Sequence, residues 1–179
     1  RETGVEQQGL DPGERHHRAE EVLIDPHHEI AAGGFVERGN GAQIERVSGM
    51  SALADAEGFV AVYPDGTGPL RNALLTWNAG NCCGRALDNG VDDVGFIAAL
   101  LDELTASLAV DPQKIFVTGI SNGGMMAYRL GCELADRLAA IAPVAGALNA
   151  PDCAPGAPLP VVAFHGTDDL HVRYEGGTP

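Results

Sequence analysis

Apolar residues from position 42 onward follow two spacings, and each spacing predicts a type of secondary structure. Between residues 42 and 57 they recur at every third or fourth position, which predicts one amphipathic helix that ends before Gly58. Residues 59–63 form a short continuous apolar run that leads into Pro64-Asp65-Gly66, a turn signature. Because such a run predicts a buried strand, the chain begins its regular part with a helix followed by a strand.

The same pattern recurs along the rest of the chain. A second helical pattern follows Asp92 and Asp93, whose carboxylates suit the positive end of a helix dipole, and it closes before Asp111-Pro112. Short apolar strands separated by amphipathic helices predict a parallel sheet covered by helices on both faces. The predicted fold class is therefore α/β, doubly wound. The further predicted elements are strands at 115–118 and 161–164 and a helix at 122–138.

The first 40 residues carry a much weaker signal. Only residues 22–24 resemble a short strand, and the remaining positions show no periodicity. We expect residues 1–40 to form an atypical segment that is poorly ordered or loosely attached to a domain at 41–179. The chain begins with Arg rather than Met, so an export signal could lie upstream of residue 1.

Charge and composition narrow the range of partners. The net charge of −14 repels nucleic-acid phosphates and anionic lipid alike. We find no apolar run near the roughly 20 residues that cross a bilayer, so no membrane span is predicted. The four cysteines form no C-x-x-C pair, which gives no reason to expect a metal, and no cofactor is expected either. Their even number fits disulfides in an oxidising compartment, with buried free thiols as the alternative.

Residues 119–123 form a G-x-S-x-G motif between a predicted strand and a predicted helix. A serine hydroxyl needs a sharp turn to stand clear of a sheet, and flanking glycines let the neighbouring backbone approach closely. This context predicts that Ser121 is a nucleophile rather than an ordinary residue of a Gly-rich turn. The backbone N–H of Asn122, at the start of the helix, would then donate to an oxyanion.

A second polar cluster follows the predicted strand at 161–164. His165-Gly-Thr is followed by Asp168 and Asp169, two carboxylates at the carboxyl end of a sheet strand. Active sites of α/β proteins are built at this end, and the serine triad of this kind of fold runs in the order serine, acid, histidine. One of the two carboxylates is the expected acid, with a turn-capping role as the alternative.

Several segments in order resemble one family. These segments are TWNAGNCCG at 76–84, NGVDDVGF at 89–96, VTGISNGGMM at 117–126, APVAG at 142–146 and HGT at 165–167. Together they resemble the polyhydroxybutyrate depolymerase and feruloyl or acetylxylan esterase family of secreted α/β-hydrolases, and the match covers about residues 40–179. The resemblance implies a serine ester hydrolase with no cofactor, in which Asp169 is the acid and Asp168 its neighbour.

The resemblance also implies roles for residues outside the serine motif. Gly39 and Gly41 correspond to the loop that supplies the second oxyanion donor, although only Gly39-Asn40-Gly41 of that loop is retained. Trp77, the sole tryptophan, either lines the substrate cleft or anchors a long loop from within the core. Among polyester, feruloylated polysaccharide and acetylated xylan, the sequence does not choose a substrate.

The family's catalytic histidine lies well beyond the acid, and here the sequence departs from the pattern. The only histidine after Asp169 is His171, which is too close in sequence to reach Ser121 while Asp169 orients it. We therefore expect a partial α/β-hydrolase domain, incomplete at both ends, that lacks its base. The competing interpretations are a serine peptidase of related fold and a non-catalytic remnant.

The family's secreted setting and the even cysteine count predict two disulfides. A ring between adjacent cysteines strains the peptide between them, so Cys82 and Cys83 are each expected to pair with Cys132 or Cys153.

Overall fold

Four parallel strands form the sheet on which the rest of the molecule is built. The computed structural model describes residues 29–33, 39–70 and 72–177. Within these ranges the strand order is β2-β1-β3-β4, and each neighbouring pair is parallel. The strands are β1 (Glu29–Gly33), β2 (Phe59–Val62), β3 (Ile115–Ile120) and β4 (Ala140–Val144). All four carboxyl ends therefore meet at one edge of the sheet, which is the edge where α/β folds place their sites.

Strand β1 lies in the middle of the sheet although no strand was predicted at this position. Its backbone pairs with β2 from Glu29 opposite Phe59 and with β3 from Ile30 opposite Ile115. The segment EIAAG was missed because it is short and starts with an acidic residue. Residues 29–33 thus differ from the weakly structured segment predicted for residues 1–40. The boundary at residue 40 stays a prediction, and the strand predicted at 22–24 lies outside the described residues.

The helix predicted at 42–57 is interrupted by a glycine. Helix α1 (Gly41–Ser48) and helix α2 (Met50–Glu57) are separated by Gly49, which has φ +66°. Glycine adopts this left-handed conformation without steric cost, so the chain changes direction there. Asn40 is the N-cap of α1, and its side-chain oxygen accepts the Gln43 N–H at 2.8 Å.

The helix predicted after Asp92 and Asp93 is confirmed as α4 (Asp93–Ser107). Asp92 caps it by accepting the Gly95 N–H at 2.9 Å, and its apolar positions lie in the core. The helix predicted at 122–138 is shorter, since α5 (Asn122–Glu133) is followed by a 3₁₀ turn at Ala135–Arg137. Helix α3 (Gly84–Asp88) and strand β4 were not predicted, because one is very short and the other contains Pro143.

The strand predicted at 161–164 lies beside β4 at the edge of the sheet. Val161 and Phe164 form isolated parallel bridges with Ile141 and Val144. The pairing is supported by the Phe164 N–H, which donates to the Pro143 carbonyl at 3.0 Å. This segment delivers residues 165–169 to the same edge of the sheet as the end of β3.

The main apolar core lies between the sheet and helices α4 and α5. Val60 and Val62 of β2 and Ile115 and Val117 of β3 are each 1% exposed, so one face of each strand lies in the core. On the other face of β3, Phe116 is 37% exposed and Ile120 is 41% exposed, so the prediction of a buried strand holds for one face only. The helices contribute the other large buried side chains, Leu101, Leu104, Met126 and Leu130. Among the described residues, no helix is long and apolar enough to cross a membrane.

Two disulfides form, but their pairing differs from the prediction. Cys132 pairs with Cys153, with a Cα–Cα distance of 5.1 Å that suits a disulfide, and Cys82 pairs with the adjacent Cys83. The predicted cross-pairing is wrong because the loop after β4 returns Cys153 directly to the end of α5. Cys83 is instead tied to the Trp77 segment, since its N–H donates to the Trp77 carbonyl at 3.1 Å.

Candidate active site

Ser121 lies at the tight turn between β3 and α5, in a backbone conformation that is rare for a non-glycine residue. Its φ is 56° and its ψ is −122°. Such a conformation costs about 1–3 kcal/mol and is found mainly at functional sites, where the surrounding structure maintains it. Here the Ser121 N–H donates to the Val144 carbonyl at 2.9 Å, so the end of β4 holds the turn. This is the geometry that a nucleophile elbow requires.

Two glycines allow the turn to pack against the end of β4. A Cβ on Gly124 would lie 2.7 Å from the Val144 carbonyl oxygen, and one on Gly146 would lie 2.6 Å from the Gly124 carbonyl carbon. Backbone therefore contacts backbone at this point. The sequence drew attention to the glycines of the G-x-S-x-G motif, whereas the closest approach involves Gly124 and the Gly146 that follows β4.

Asn122 begins α5, so its backbone N–H is among the first four of the helix, which have no acceptor within the helix. It therefore lies at the positive end of the helix dipole, directly after Ser121. The second oxyanion donor was expected from the Gly39–Gly41 loop, and the structure does not support it there. The Gly41 N–H donates to a side-chain oxygen of the buried Asp65 at 2.6 Å, so this bond and not an oxyanion uses the donor. Gly39 is buried, and residues 34–38 before it lie outside the described residues.

Asp169 is held in a fixed orientation by the loop that carries it. One of its carboxylate oxygens accepts the backbone N–H groups of His171 at 2.8 Å and Val172 at 2.9 Å. These two bonds, first that of Val172 and then that of His171, lower the pKa of Asp169 because they favour the charged form. Asp168, by contrast, is exposed. The structure thus distinguishes the two carboxylates that the sequence left side by side.

Within the described residues, two histidines lie in the loop that carries the acid, and only the His165 imidazole makes hydrogen bonds there. The His165 Nε2 lies 2.6 Å from the Val172 carbonyl oxygen and 3.5 Å from the second Asp169 carboxylate oxygen. Its ring also contacts Tyr174 edge-on at 6.0 Å between centroids. His171 is exposed and shares the turn with Asp169. The other four histidines of the sequence lie outside the described residues.

Trp77 is 3% exposed and belongs to the core, where its ring stacks on Phe96 with 6.4 Å between centroids. Of the two alternatives for Trp77, this burial supports the loop anchor over the cleft-lining residue. Its backbone is bound by the Asn122 side chain. The Asn122 oxygen accepts the Trp77 N–H at 2.7 Å, and the Asn122 nitrogen donates to the Trp77 carbonyl at 3.0 Å.

Asp93 is a buried carboxyl whose importance the sequence did not reveal. It is fully buried, accepts the Asn78 N–H at 2.6 Å and has its pKa raised to about 7. Burial is the main cause, since it disfavours the charged form. The hydrogen bond from Asn78 and the nearby Arg129 act in the opposite direction. The adjacent pair Asp92-Asp93 could have indicated a buried carboxyl, because when one of two adjacent residues caps a helix the other can face inward.

No group of three or more His, Cys, Asp or Glu side chains within the described ranges could hold a metal ion.

Comparisons with known proteins agree with the resemblance found in the sequence. The chain is 38% identical to feruloyl esterase B of Piromyces equi, over 78% of this chain and 26% of that protein. It is 30% identical to feruloyl esterase C of Emericella nidulans, over 94% of this chain and 54% of that protein. It is 31% identical to the bifunctional acetylxylan esterase/xylanase of Neocallimastix patriciarum, over 69% of this chain and 16% of that protein. The chain thus spans at most about half the length of these relatives.

Solved structures show the same fold. Esterase PE8 aligns with a TM-score of 0.69 at 20% identity, over 87% of this chain and 77% of that one. The acetyl xylan esterase from Aspergillus awamori aligns with a TM-score of 0.58 at 20% identity, over 79% of this chain and 50% of that one. No protein-family model matches the chain. The predicted α/β-hydrolase fold and the resemblance to feruloyl and acetylxylan esterases are confirmed.

Proposed function

We propose that this chain is the nucleophile-bearing part of a serine carboxylic ester hydrolase. The observation that carries the proposal is the backbone of Ser121, which occupies a strained conformation between strand β3 and the N-terminus of helix α5. The similarity to proteins named feruloyl and acetylxylan esterases supports ester hydrolysis over the alternative of peptide hydrolysis.

The proposed reaction begins when the Ser121 hydroxyl oxygen attacks the ester carbonyl carbon. A histidine accepts the hydroxyl proton, and Asp169 orients this histidine and stabilises its charged form. The negative charge that develops on the carbonyl oxygen faces the Asn122 N–H, where the helix dipole adds to the stabilisation. The protonated histidine then gives its proton to the departing alcohol, and water releases the acyl group from Ser121 by the same steps in reverse order.

The histidine in this scheme is proposed to lie outside residues 1–179. Within the described residues, His165 is bonded to the Val172 carbonyl and His171 shares the turn with Asp169. We therefore do not assign either imidazole as the base. The relatives are considerably longer than this chain, which leaves room for the base in a longer protein.

The proposed substrates are acyl esters attached to plant polysaccharides, because the named relatives act on feruloyl and acetyl esters. Polyester of the polyhydroxybutyrate type is the alternative substrate. A longer form of the protein should release ferulate from methyl ferulate or acetate from acetylated xylan faster than it depolymerises polyhydroxybutyrate. Preferential release from the polyester would show that the polysaccharide assignment is wrong.

Secretion is proposed on the basis of the disulfides. Cys82–Cys83 and Cys132–Cys153 are the bonds found in the described part of the chain. Disulfides persist in oxidising compartments and are rare in the cytosol. Finding all four thiols reduced in protein isolated from its native source would contradict this proposal.

Trapping of an acyl group tests the assignment of the nucleophile. A longer form, incubated with p-nitrophenyl acetate and quenched in acid, should carry an acetyl group on the peptide that contains Ser121. Ser121→Ala should abolish this label, whereas Ser107→Ala, which removes an exposed hydroxyl on α4, should leave it unchanged. Acetylation that persists in Ser121→Ala would contradict the proposed nucleophile.

A further inference from the structure

The segment Trp77-Asn78 is held by side chains at each of its backbone polar groups. Asn122 binds both the N–H and the carbonyl of Trp77, at 2.7 and 3.0 Å. At the next residue, Asp93 accepts the Asn78 N–H and Arg129 donates to the Asn78 carbonyl, both at 2.6 Å. The Trp77 carbonyl also accepts the Cys83 N–H. The N–H and carbonyl groups of these two residues are thus all bonded by three side chains from α4 and α5.

Of these three side chains, that of Asn122 belongs to the residue next to Ser121. Asn122 follows Ser121 directly, and its side chain is 1% exposed. An amide that bonds both the donor and the acceptor of one residue imitates strand pairing, so it fixes its own rotamer and the position of the partner segment together. A buried amide that lost either bond would leave a buried polar group without a partner.

The held segment leads into a loop at the carboxyl edge of the sheet. The Asn81 N–H donates to the Asn149 carbonyl at 3.1 Å, and Asn149 lies in the loop that follows β4. Gly80 packs against the same residue, where a Cβ would lie 2.5 Å from the Asn149 carbonyl oxygen. Residues 77–81 are therefore fixed at one end to the start of α5 and at the other to the loop that follows β4.

We propose that the Asn122 side chain is a positioning residue that fastens residues 77–81 to the serine turn. The inference rests on the proposed function, since it gives a second task to the residue whose backbone N–H is the proposed oxyanion donor. Because the side chain is held at two points, the peptide between Ser121 and Asn122 keeps one orientation, and the 77–81 loop keeps one position beside the site.

The sole tryptophan of the chain makes this arrangement measurable. Trp77 is the held residue, so its fluorescence reports the segment without a label. In Asn122→Asp the carboxylate can still accept the Trp77 N–H, but it faces the Trp77 carbonyl oxygen with no proton to donate. Once protonated, the introduced carboxyl group can both accept and donate, as the amide does. The variant should therefore recover the native arrangement at low pH.

Three variants of the 179-residue chain form the experiment. At pH 8, Asn122→Asp should give red-shifted, more easily quenched Trp77 emission and about tenfold faster exchange of the Trp77 N–H. These signals should return toward wild type on acidification. Asn122→Leu should show the change at every pH. Asn81→Asp, which places the same carboxyl group on an exposed position of the same loop, should behave as wild type throughout.

The wild-type profile serves as the reference, because Asp93 and Arg129 also face this segment and Asp93 titrates near neutral pH. Asn122→Asp emission identical to wild type at every pH would overturn the proposal. A change at pH 8 that acid does not reverse would also overturn it, and the comparison of Asn122→Asp with wild type does not require that Asn122→Leu folds.

Turnover separates this inference from the proposed function. In a longer form that hydrolyses p-nitrophenyl acetate, Asn122→Asp should lower kcat about tenfold or more at pH 8 with little change in KM, because the donor is misplaced after substrate binds. If the wild-type longer form has no esterase activity, the proposed function fails, while the Trp77 signals still decide the role of Asn122.

Discussion

The serine turn and the acid loop lie at the same edge of the sheet but are stabilised in different ways. Ser121 and Asn122 are fixed by buried contacts with β4, Trp77 and the core. Asp169 is fixed by hydrogen bonds to its own near neighbours, His171 and Val172, in a loop where Leu170 is 85% exposed. The nucleophile half of the site thus depends on the whole fold, whereas the acid half depends on one turn. Perturbing the first should change global stability, and perturbing the second should change only the loop.

The largest expected effect on stability comes from titration of Asp93, which lies on the nucleophile side of the site. The pKa of this carboxyl is raised from 3.8 to about 7, so the folded state holds a proton that the unfolded state has lost. The stabilisation is complete below the unfolded value and is lost as pH rises through about 7. The unfolding free energy should fall by up to about 4 kcal/mol between pH 4 and pH 8.

Chemical denaturation of wild type and Asp93→Asn across this pH range checks the effect. The variant should show a much flatter pH dependence, because its amide does not titrate. Asp102→Asn, which changes an exposed carboxyl on the same helix, is the matched control and should keep the wild-type slope. Equal slopes for wild type and Asp93→Asn would show that Asp93 is not the titrating group.

A methyl group at the serine turn should have the next largest effect. Gly124→Ala places a Cβ 2.7 Å from the Val144 carbonyl oxygen, and backbone atoms cannot move aside as a flexible side chain can. We expect a loss of about 2–3 kcal/mol in unfolding free energy, although alanine favours helices more than glycine does. Gly156→Ala, where nothing lies within 4 Å, should cause little change. Thermal denaturation that ranks the two variants equally would contradict the close contact.

The smallest effect is expected in the acid loop. Asp169→Asn weakens the acceptor of the His171 and Val172 N–H groups, so both amides should exchange faster while the melting temperature stays unchanged. In wild type, the lowered pKa of Asp169 means that its carboxylate stabilises the folded loop at pH values above the ordinary carboxyl pKa. This stabilisation is lost as the pH falls through the lowered pKa of Asp169. Asp168→Asn is the control. A global loss of stability in Asp169→Asn would remove the distinction between the two regions.

Sequence periodicity predicted the elements that carry the core and missed those with weak patterns. Helix α4 was predicted because its apolar positions recur at helical spacing, and strands β2 and β3 were predicted because each contains a short continuous apolar run. Strand β1 and strand β4 were missed because EIAAG is short and starts with an acidic residue, and because AIAPV contains a proline. Secondary structure in such segments is decided by tertiary contacts.

In the candidate site, too, local sequence patterns predicted some features, whereas others depend on tertiary contacts. A local motif was enough to place Ser121 and Asn122 at a strand–helix turn, and the position after a strand was enough to place Asp169 at the same edge. The bonds from Asn122 to Trp77 join residues 45 positions apart, and no local pattern reports them. The Gly41 N–H was expected to be a donor for the oxyanion, and only its bond to Asp65, 24 positions away, shows that it is used elsewhere.

Steady-state hydrolysis of p-nitrophenyl acetate tests the central claim that Ser121 is a nucleophile whose base lies outside this chain. General-base catalysis is worth roughly 100- to 10,000-fold, and triad members act as a unit. The 179-residue chain should therefore differ little from its own Ser121→Ala variant, while a longer form should turn over and lose that turnover in Ser121→Ala. Robust Ser121-dependent turnover by the 179-residue chain would contradict the claim, and its specific loss in His171→Ala would identify the base within the acid loop.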